Sequence, residues 1–337
     1  MRLPSLQALG LLLVLGAWGS AWATVPVPLL DAPGSVGVAR LDIQGRPLPQ
    51  AEVPRLRARL DDLLAQLRQT PALAPLRGFA IDQGLGLFEQ DAGLPGAPAI
   101  GQALLLVRRV DPARSEPAAQ GGWRGYGEGP GIVLRVNDPR ALFGYPVGRD
   151  ALGDYYQVAV KPRRLQGMPV LQVGNKDVVV VHKPGRKPFT HVSRQRYLEG
   201  LLASEREHLA GLQQQLAEAG DAESRQQLQQ FIRQWQGTVA QKQALLDGMG
   251  EAERRAPTCQ SSSQRLGQLF AACSDPAAVY YVSPAADYFQ TGLPASSVQL
   301  LTLSVVNKGF LNDHTLGLKV RQAVAQLDLP ALQRSLD

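Results

Sequence analysis

Residues 168–182 read MPVLQVGNKDVVVVH, and this stretch decides the fold of the chain. Its two apolar runs, 169–173 and 177–182, are rich in valine and predict two strands. Glycine and asparagine tolerate positive φ angles, so residues 174–176 predict a tight turn between the strands. The stretch therefore predicts a β-hairpin.

Further short β runs lie on both sides of this hairpin, separated by glycine and proline. Directly after it, residues 183–186 (Lys-Pro-Gly-Arg) have proline and glycine where a type II turn requires them. The other predicted strands are 103–110, 131–136, 155–160, 279–283 and 298–306.

Amphipathic helices are predicted outside the β region. Residues 51–69 place leucines at steps of three and four, and Pro54 suits a first helical turn. The same spacing predicts a helix at 315–327, and a short turn of helix is expected at 329–336. The proline-rich residues 24–50 predict an extended segment.

Two long helices are predicted after Ser193. This serine suits the cap of a helix over 194–219, which Gly220 would end, and Asp221 suits the cap of a second helix reaching 249. A connection of a few residues predicts that the two helices run antiparallel. Their apolar positions alternate steps of three and four, as in a coiled coil. The seam positions are Leu198, Leu202, Glu205, Leu209, Leu212, Leu216 and Ala219, then Leu228, Ile232, Trp235, Val239, Lys242, Leu246 and Met249.

Each of these two seams contains one charged residue, Glu205 in the first and Lys242 in the second. If the chain folds back near residue 221, the two lie within about two helical turns of each other. We expect them to pair and to help set the register of the helices.

The predicted fold class is α+β, with a mixed, mostly antiparallel sheet packed on helices and a long antiparallel helical hairpin as a coiled-coil-like arm. With 337 residues and 45% hydrophobic composition, the chain can bury a sizeable core, which argues against wholesale disorder. Four regions are expected: a signal peptide at 1–23, an α+β region at 24–192, the helical hairpin at 193–250, and a disulfide loop with further α+β structure at 251–337. The last region is expected to complete the domain begun by the second.

The N-terminus has the three parts of a secretory signal peptide. Arg2 precedes an apolar stretch at 6–18, and Ala21-Trp22-Ala23 fits the small-x-small cleavage pattern, so cleavage is expected after Ala23. A membrane anchor is the alternative, but the apolar run is short for a bilayer span. The expected location is therefore the bacterial periplasm, or the exterior of the cell.

Export changes the interpretation of the only two cysteines, Cys259 and Cys273. In an oxidising compartment two cysteines usually pair, so a disulfide is expected, with a helix at 264–272 inside its loop. A reactive thiol is the alternative, but neither cysteine belongs to a C-x-x-C motif or has a neighbouring histidine.

Positive charge is concentrated in residues 161–196, which hold nine Lys or Arg residues and one acidic residue, Asp177. One interpretation is an ordinary solvated rim of hairpin turns. The other is a contact surface for an anionic partner, such as lipid head groups, an acidic glycan or an acidic protein face. The candidate contact residues of this basic patch are Lys161, Arg163, Arg164, Lys183, Arg186, Lys187, Arg194 and Arg196.

A glycine-rich loop, GGWRGYGEGPG at residues 121–131, contains the candidate contact residues Trp123, Arg124 and Tyr126. Their aromatic faces and cation suit an extended ligand such as a sugar or a peptide. The favoured interpretation is a connector whose tryptophan packs on the sheet.

The motifs of the common hydrolases, metalloproteases and nucleotide-binding proteins are absent, and no metal or cofactor is expected. The sequence favours a non-enzymatic envelope protein that uses the basic patch and the helical hairpin to hold an envelope protein or an anionic envelope component. Peripheral membrane contact fits this expectation, nucleic acid does not, and no oligomeric state is predicted. The alternative is a periplasmic hydrolase with its site near the glycine-rich loop, the histidines and residues 183–196.

Overall fold

The computed structural model describes residues 29–89, 94, 96–263, 268–306 and 314–337. The expected signal peptide at 1–23 lies outside these residues. Within them, no helix combines the length and the apolar character needed to cross a bilayer.

Six α-helices are found in the described part of the chain. The helices predicted at 51–69, 315–327 and 329–336 are present with slightly different ends, and a 3-10 turn at Gln50–Glu52 precedes the first. The helices are α1 (Val53–Arg68), α2 (Arg194–Glu218), α3 (Ala222–Gly248), α4 (Glu251–Arg255), α5 (His314–Gln326) and α6 (Leu329–Arg334).

The strands form two sheets, and every strand predicted from the sequence is present. They are β1 (Arg40–Ile43), β2 (Phe79–Phe88), β3 (Ile100–Arg109), β4 (Gly131–Val136), β5 (Gly148–Asp150), β6 (Gly153–Ala159), β7 (Arg163–Leu165), β8 (Met168–Val173), β9 (Lys176–His182), β10 (Phe189–His191), β11 (Cys259–Ser261), β12 (Ala278–Pro284) and β13 (Leu300–Val306).

The larger sheet has the order β1-β2-β3-β4-β13-β9-β8-β7. Only the β1–β2 pair is parallel; the other pairs are antiparallel. The expected turn between β8 and β9 is present, with Gly174 at φ +59°. Together with the helices, this sheet confirms the predicted mixed α+β architecture.

Three strands of this sheet, β1, β2 and β7, were not predicted from the sequence. β2 contains Asp82, Gln83, Gly84 and Gly86, which interrupt the alternation of apolar and polar residues. It is a strand because all ten of its residues pair with β3, from Phe79↔Arg109 to Phe88↔Ile100.

The main core lies between one face of the larger sheet and helices α1, α5 and α6. Leucines of α1 such as Leu56 and Leu60 are fully buried there, as are Val181 of β9 and Leu303 of β13. Val179 and Val181 belong to this core, whereas Val180 belongs to a second one, because side chains alternate across a strand. The valine run of β9 is therefore buried on both faces.

The second core lies between the other face of the larger sheet and the smaller sheet, which has the order β10-β12-β6-β5 with β11 paired to β12. Val180 and Leu300 from the larger sheet meet Tyr156, Val158 and Val282 from the smaller one. The two sheets thus pack face to face, and the residues that meet between them come from the middle of the chain and from its C-terminal part.

Helices α2 and α3 pack against each other after the smaller sheet. Ser193 caps α2 by accepting a hydrogen bond from the Arg196 backbone N–H, and Asp221 caps α3 by accepting one from Ser224, as predicted. The expected ion pair between Lys242 Nζ and Glu205 Oε1 is present, and both side chains are largely buried.

A bidentate ion pair anchors the first turn of α2 to the smaller sheet. The Arg196 guanidinium donates to both oxygens of Asp150, from Nε at 2.7 Å and from Nη2 at 3.1 Å. Gly200 lies one turn further on, where a Cβ atom would approach the Tyr155 hydroxyl to 2.8 Å. The helix therefore needs both the arginine and the glycine to lie this close to β5.

The predicted disulfide joins Cys259 and Cys273, whose Cα atoms are 5.4 Å apart. The helix expected inside its loop is wrong for residues 268–272, which are not helical, and residues 264–267 lie outside the described part of the chain. The Ala271 N–H instead donates to the Cys259 carbonyl, so the disulfide and this hydrogen bond hold the segment beside β11.

Asn137 joins three separate segments at the end of β4. It is fully buried, has φ +58°, and its side chain donates to the carbonyls of Ala99 and Ser297 while accepting from the Gln299 backbone N–H. Asparagine adopts positive φ more readily than most residues, and its amide supplies both donors and acceptors.

We predict that Asn137→Ala lowers the free energy of unfolding by about 3 kcal/mol or more, because buried backbone groups lose their partners and alanine is strained at positive φ. Asn137→Gly removes the hydrogen bonds without the strain, so it should cost about 1 kcal/mol less. Urea denaturation of both variants measures the difference. Equal losses would show that backbone strain is not part of the cost.

A second prediction concerns the buried ion pair of α2 and α3. Lys242→Met leaves the Glu205 carboxylate unpaired in the seam and should cost about 3 kcal/mol, whereas adding Glu205→Leu should recover most of the loss. Arg206→Met is the matched control, since Arg206 contacts Gln243 on the exposed side of the same helices and should cost less than about 0.5 kcal/mol. Additive losses in the double variant, measured by urea denaturation, would contradict a coupled pair.

Candidate functional site

A cavity of about 430 Å³ opens where the two sheets separate beside the second core. We call it the inter-sheet cavity. Its walls come from β8 and β9 of the larger sheet and from β6, β10 and β12 of the smaller one, with the turn before β8, the segment before β10 and α6 at its margins. Its volume lies within the range of small-molecule sites.

Two cations and two histidines line the inter-sheet cavity. Arg164 reaches it from β7, Lys187 from the segment before β10, His182 from the end of β9 and His191 from β10. The described residues that line this cavity include no aspartate or glutamate. The cavity therefore presents positive charge that no carboxylate in its lining offsets.

Neither cation forms an ion pair with a carboxylate in the described part of the chain. Arg164 donates from Nη1 to the Gly167 carbonyl at 2.7 Å, which orients the guanidinium and leaves its other N–H groups for a ligand. Lys187 is exposed and has no ion-pair partner among the described residues. Both side chains can thus meet an incoming anion.

His191 stacks on Tyr280 at the wall of the cavity, with ring centroids 4.2 Å apart and planes 24° from parallel. Loss of hydration, followed by the nearby charge of Lys187, lowers the pKa of His191 below its ordinary value. The lowered pKa favours the uncharged ring, so Arg164 and Lys187 supply the charge of the cavity and His191 supplies a hydrogen-bonding group.

His182 is held by two backbone contacts at the end of β9. Its Nδ1 lies 2.9 Å from the Lys183 carbonyl, which accepts a hydrogen bond, so Nδ1 is the donor in this contact. The side chain of Gln333 in α6 donates to the His182 carbonyl at 2.8 Å, and Gln333 also lines the cavity. The turn at Lys183–Arg186 that follows is the expected type II turn, with Gly185 at φ +79° and a hydrogen bond from Arg186 N–H to the Lys183 carbonyl.

The floor of the inter-sheet cavity is apolar. Val158, Leu171 and Val180 lie there, and all three belong to the second core. Phe189 lies nearer the opening and contacts Phe143 edge to face. The cavity therefore combines a charged margin with an apolar interior.

The structure divides the basic patch predicted from the sequence into paired and unpaired members. Arg163 pairs with Asp177, Arg194 with Glu253 and Arg196 with Asp150. These three arginines are less available to a ligand, because each is neutralised by a carboxylate of the same chain.

The other five members have no carboxylate partner among the described residues: Lys161, Arg164, Lys183, Arg186 and Lys187. Arg186 lines a second depression next to the cavity and donates to the Tyr288 carbonyl at 3.1 Å. Lys187, Phe189 and His191 line both depressions, and the second one also contains the carboxylate of Asp287.

The glycine-rich loop lies elsewhere, beside β3. Trp123 packs on Ala32, Ala80 and Val110, and its backbone bonds to Pro33 and Ser35. The Arg124 guanidinium lies 3.6 Å from Glu116, and Arg114 lies over the ring of Tyr126. None of these loop residues lines the inter-sheet cavity.

Sequence reasoning missed Tyr280, Gln333 and the apolar floor as parts of one site. Tyr280 appears only as one residue of a predicted strand, and Gln333 as one residue of a short helix. Their proximity depends on pairing of β12 with β6 and β10 and on the position of α6, which no local pattern specifies.

We predict that Lys187→Gln raises the pKa of His191, because removal of a neighbouring positive charge favours the imidazolium form. NMR titration of the His191 ring protons measures the change. Lys176→Gln removes the same charge at the far end of β9, six residues or roughly 20 Å from His182, and should leave the pKa unchanged. A His191 pKa that does not move in Lys187→Gln, or moves equally in both variants, would contradict the arrangement described.

Comparison with known proteins found no matching family model, no matching curated protein and no matching solved structure. A function for this chain is therefore argued from its own residues and their geometry.

Proposed function

We propose that this chain is an exported, non-enzymatic binding protein of the bacterial envelope that holds an anionic ligand in the inter-sheet cavity. The observation that carries the proposal is the pairing pattern of the basic residues. Arg163, Arg194 and Arg196 are neutralised within the fold, whereas Arg164 and Lys187 are unpaired and line a cavity without a carboxylate in its described lining.

Unpaired cations in a concave site favour an anion for a simple electrostatic reason. Charges of one sign in a cleft raise the local concentration of counter-charged ligands and speed their association. Arginine adds directional hydrogen bonds to phosphate or carboxylate oxygens, and lysine adds a mobile point charge. His182 and His191 add hydrogen-bonding groups beside them.

We further propose that α2 and α3 form an antiparallel, coiled-coil-like arm that offers a second surface to a partner. In support, Leu202 clusters with Leu246 and Glu205 pairs with Lys242, so the contacts advance along one helix as they retreat along the other. On α3, Phe231 and Leu245 remain 52% and 40% exposed, which supplies apolar surface for an envelope protein.

The periplasmic location belongs to the same proposal. The N-terminal pattern ending at Ala23 supports export, and the disulfide between Cys259 and Cys273 suits an oxidising compartment. In that compartment an anionic envelope component is accessible as a ligand, whereas nucleic acid is not an expected partner.

Hydrolysis was the alternative expected from the sequence, with the glycine-rich loop and residues 183–196 sharing one site. Trp123 and its neighbours pack beside β3, away from the cavity that His182 and His191 line. The described lining of the inter-sheet cavity brings no carboxylate to these histidines, and Asp287 lies in the second depression, which His191 also lines. The unpaired cations of the cavity favour binding of an anion.

The experiment compares hexyl phosphate with hexanol by isothermal titration calorimetry at low and high salt. We expect hexyl phosphate to bind at least tenfold more tightly than hexanol, and the difference to shrink as salt screens the charges. Arg164→Glu and Lys187→Glu should each weaken hexyl phosphate binding about tenfold or more. A bound phosphate should also raise the pKa of His191, because a nearby anion favours the imidazolium form.

Lys176→Glu is the matched control, since it reverses an exposed charge of the same segment outside the cavity. Its affinity for hexyl phosphate should stay within about twofold of the native chain. Equal binding of hexanol and hexyl phosphate, or an equal effect of all three charge reversals, would refute anion binding in the inter-sheet cavity.

A further inference from the structure

The chemistry of the inter-sheet cavity also specifies the kind of anion. We infer that its ligand is a dispersed single-chain amphiphile, with an anionic head at Arg164 and Lys187 and an apolar chain between the two sheets. This inference rests on the proposed function and adds the ligand class.

The polarity of the cavity lining changes from its margin to its floor. At the margin, Arg164 and Lys187 are exposed and charged, whereas the floor residues Val158, Leu171 and Val180 have relative exposures of 5%, 4% and 1%. A ligand that fills the cavity thus meets charge at one end and hydrocarbon at the other.

Both sheets contribute apolar side chains to the floor of the cavity. Leu171 and Val180 belong to the larger sheet, and Val158 belongs to the smaller one. An apolar chain placed there would continue the packing of the second core, in which these three side chains already meet. Such burial excludes water from hydrocarbon on both walls at once.

The aromatic residues at the opening fit the same ligand. Phe189 is partly buried against the second core, and Tyr280 carries the stacked His191 ring. Both rings border the path between the charged margin and the apolar floor.

The charged residues alone would give an anion only low affinity for the cavity. Exposed ion pairs contribute little net free energy, because water and salt screen them and the side chains lose freedom. An inorganic anion at Arg164 and Lys187 would therefore bind weakly. Each methylene removed from water contributes about fourfold in affinity, so a chain of several carbons supplies what the charges cannot.

The test is a homologous series of alkyl phosphates, from inorganic phosphate through butyl and hexyl to octyl phosphate, each used below its micelle concentration. Calorimetry with the native chain should show affinity rising two- to fourfold for each added methylene. Affinity that is independent of chain length would overturn the inference while leaving anion binding intact. No binding of any member of the series would refute the proposed function as well.

A pair of variants places the chain on the correct face of β9. Val180→Thr adds a hydroxyl to the cavity floor and should weaken octyl phosphate about fivefold while leaving inorganic phosphate unchanged. Val179→Thr makes the same change on the opposite face, toward the helices, and should keep octyl phosphate affinity within about twofold. Equal weakening by both folded variants would overturn the placement, and the chain-length series tests the inference even if a variant fails to fold.

Vesicles separate a dispersed amphiphile from a membrane surface. Octyl phosphate should compete with hexyl phosphate for one site. Phosphatidylglycerol vesicles should not displace bound octyl phosphate from that site. Sedimentation of the chain with phosphatidylglycerol vesicles, without any binding of dispersed octyl phosphate, would overturn the inference in favour of a bilayer surface.

Discussion

The central position of β13 is the constraint on which the rest of the structure depends. Residues of this strand pair with β4 on one side and, from Leu300↔His182 to Val306↔Lys176, with β9 on the other. The hairpin of β8 and β9 joins the larger sheet only through this strand. Leu301 and Leu303 bury toward the helices and Leu300 toward the smaller sheet, so both cores form around a segment near the C-terminal end of the chain. Asn137 and the last residue, Asp337, bond the backbone just before it.

The inter-sheet cavity follows from how the second core ends. Where the sheets are close, Tyr156, Val282 and Leu300 fill the space between them. Val158 and Val180 of this core also line the inter-sheet cavity, together with the segment that contains Lys187 and His191. Apolar side chains are thus left at the floor while cations lie at the margin. The carboxylates that neutralise Arg194 and Arg196 lie elsewhere, on α4 and β5, and the described lining of the cavity contains none.

Local sequence patterns predicted those elements whose stability comes from interactions between residues close together in the chain or from a regular apolar spacing. The valine run of β9, the leucine spacing of α1 and the caps Ser193 and Asp221 are confirmed, and Glu205 meets Lys242 as their seam spacing required. The sequence did not reveal β2, because Gly84 and Gly86 remove the alternation, and pairing with β3 on one side and β1 on the other holds the strand extended. It also predicted a helix at 264–272, where the described residues 268–272 follow the disulfide and a bond to Cys259 instead. In both cases long-range contacts outweigh local preference.

By itself, then, the sequence determined the mixed α+β class, the disulfide partners and the segment in which positive charge accumulates. These follow from periodicity, from the presence of just two cysteines and from composition. Only the tertiary structure decided which of those charges are available. Arg163 and Arg164 are adjacent in the chain, yet one is neutralised by Asp177 while the other lines the inter-sheet cavity. Side chains of successive strand residues point to opposite faces of the sheet. The groups that each side chain contacts on its face come from distant parts of the chain. The sequence therefore shows where charged residues lie, but the fold determines which of them are neutralised by a partner.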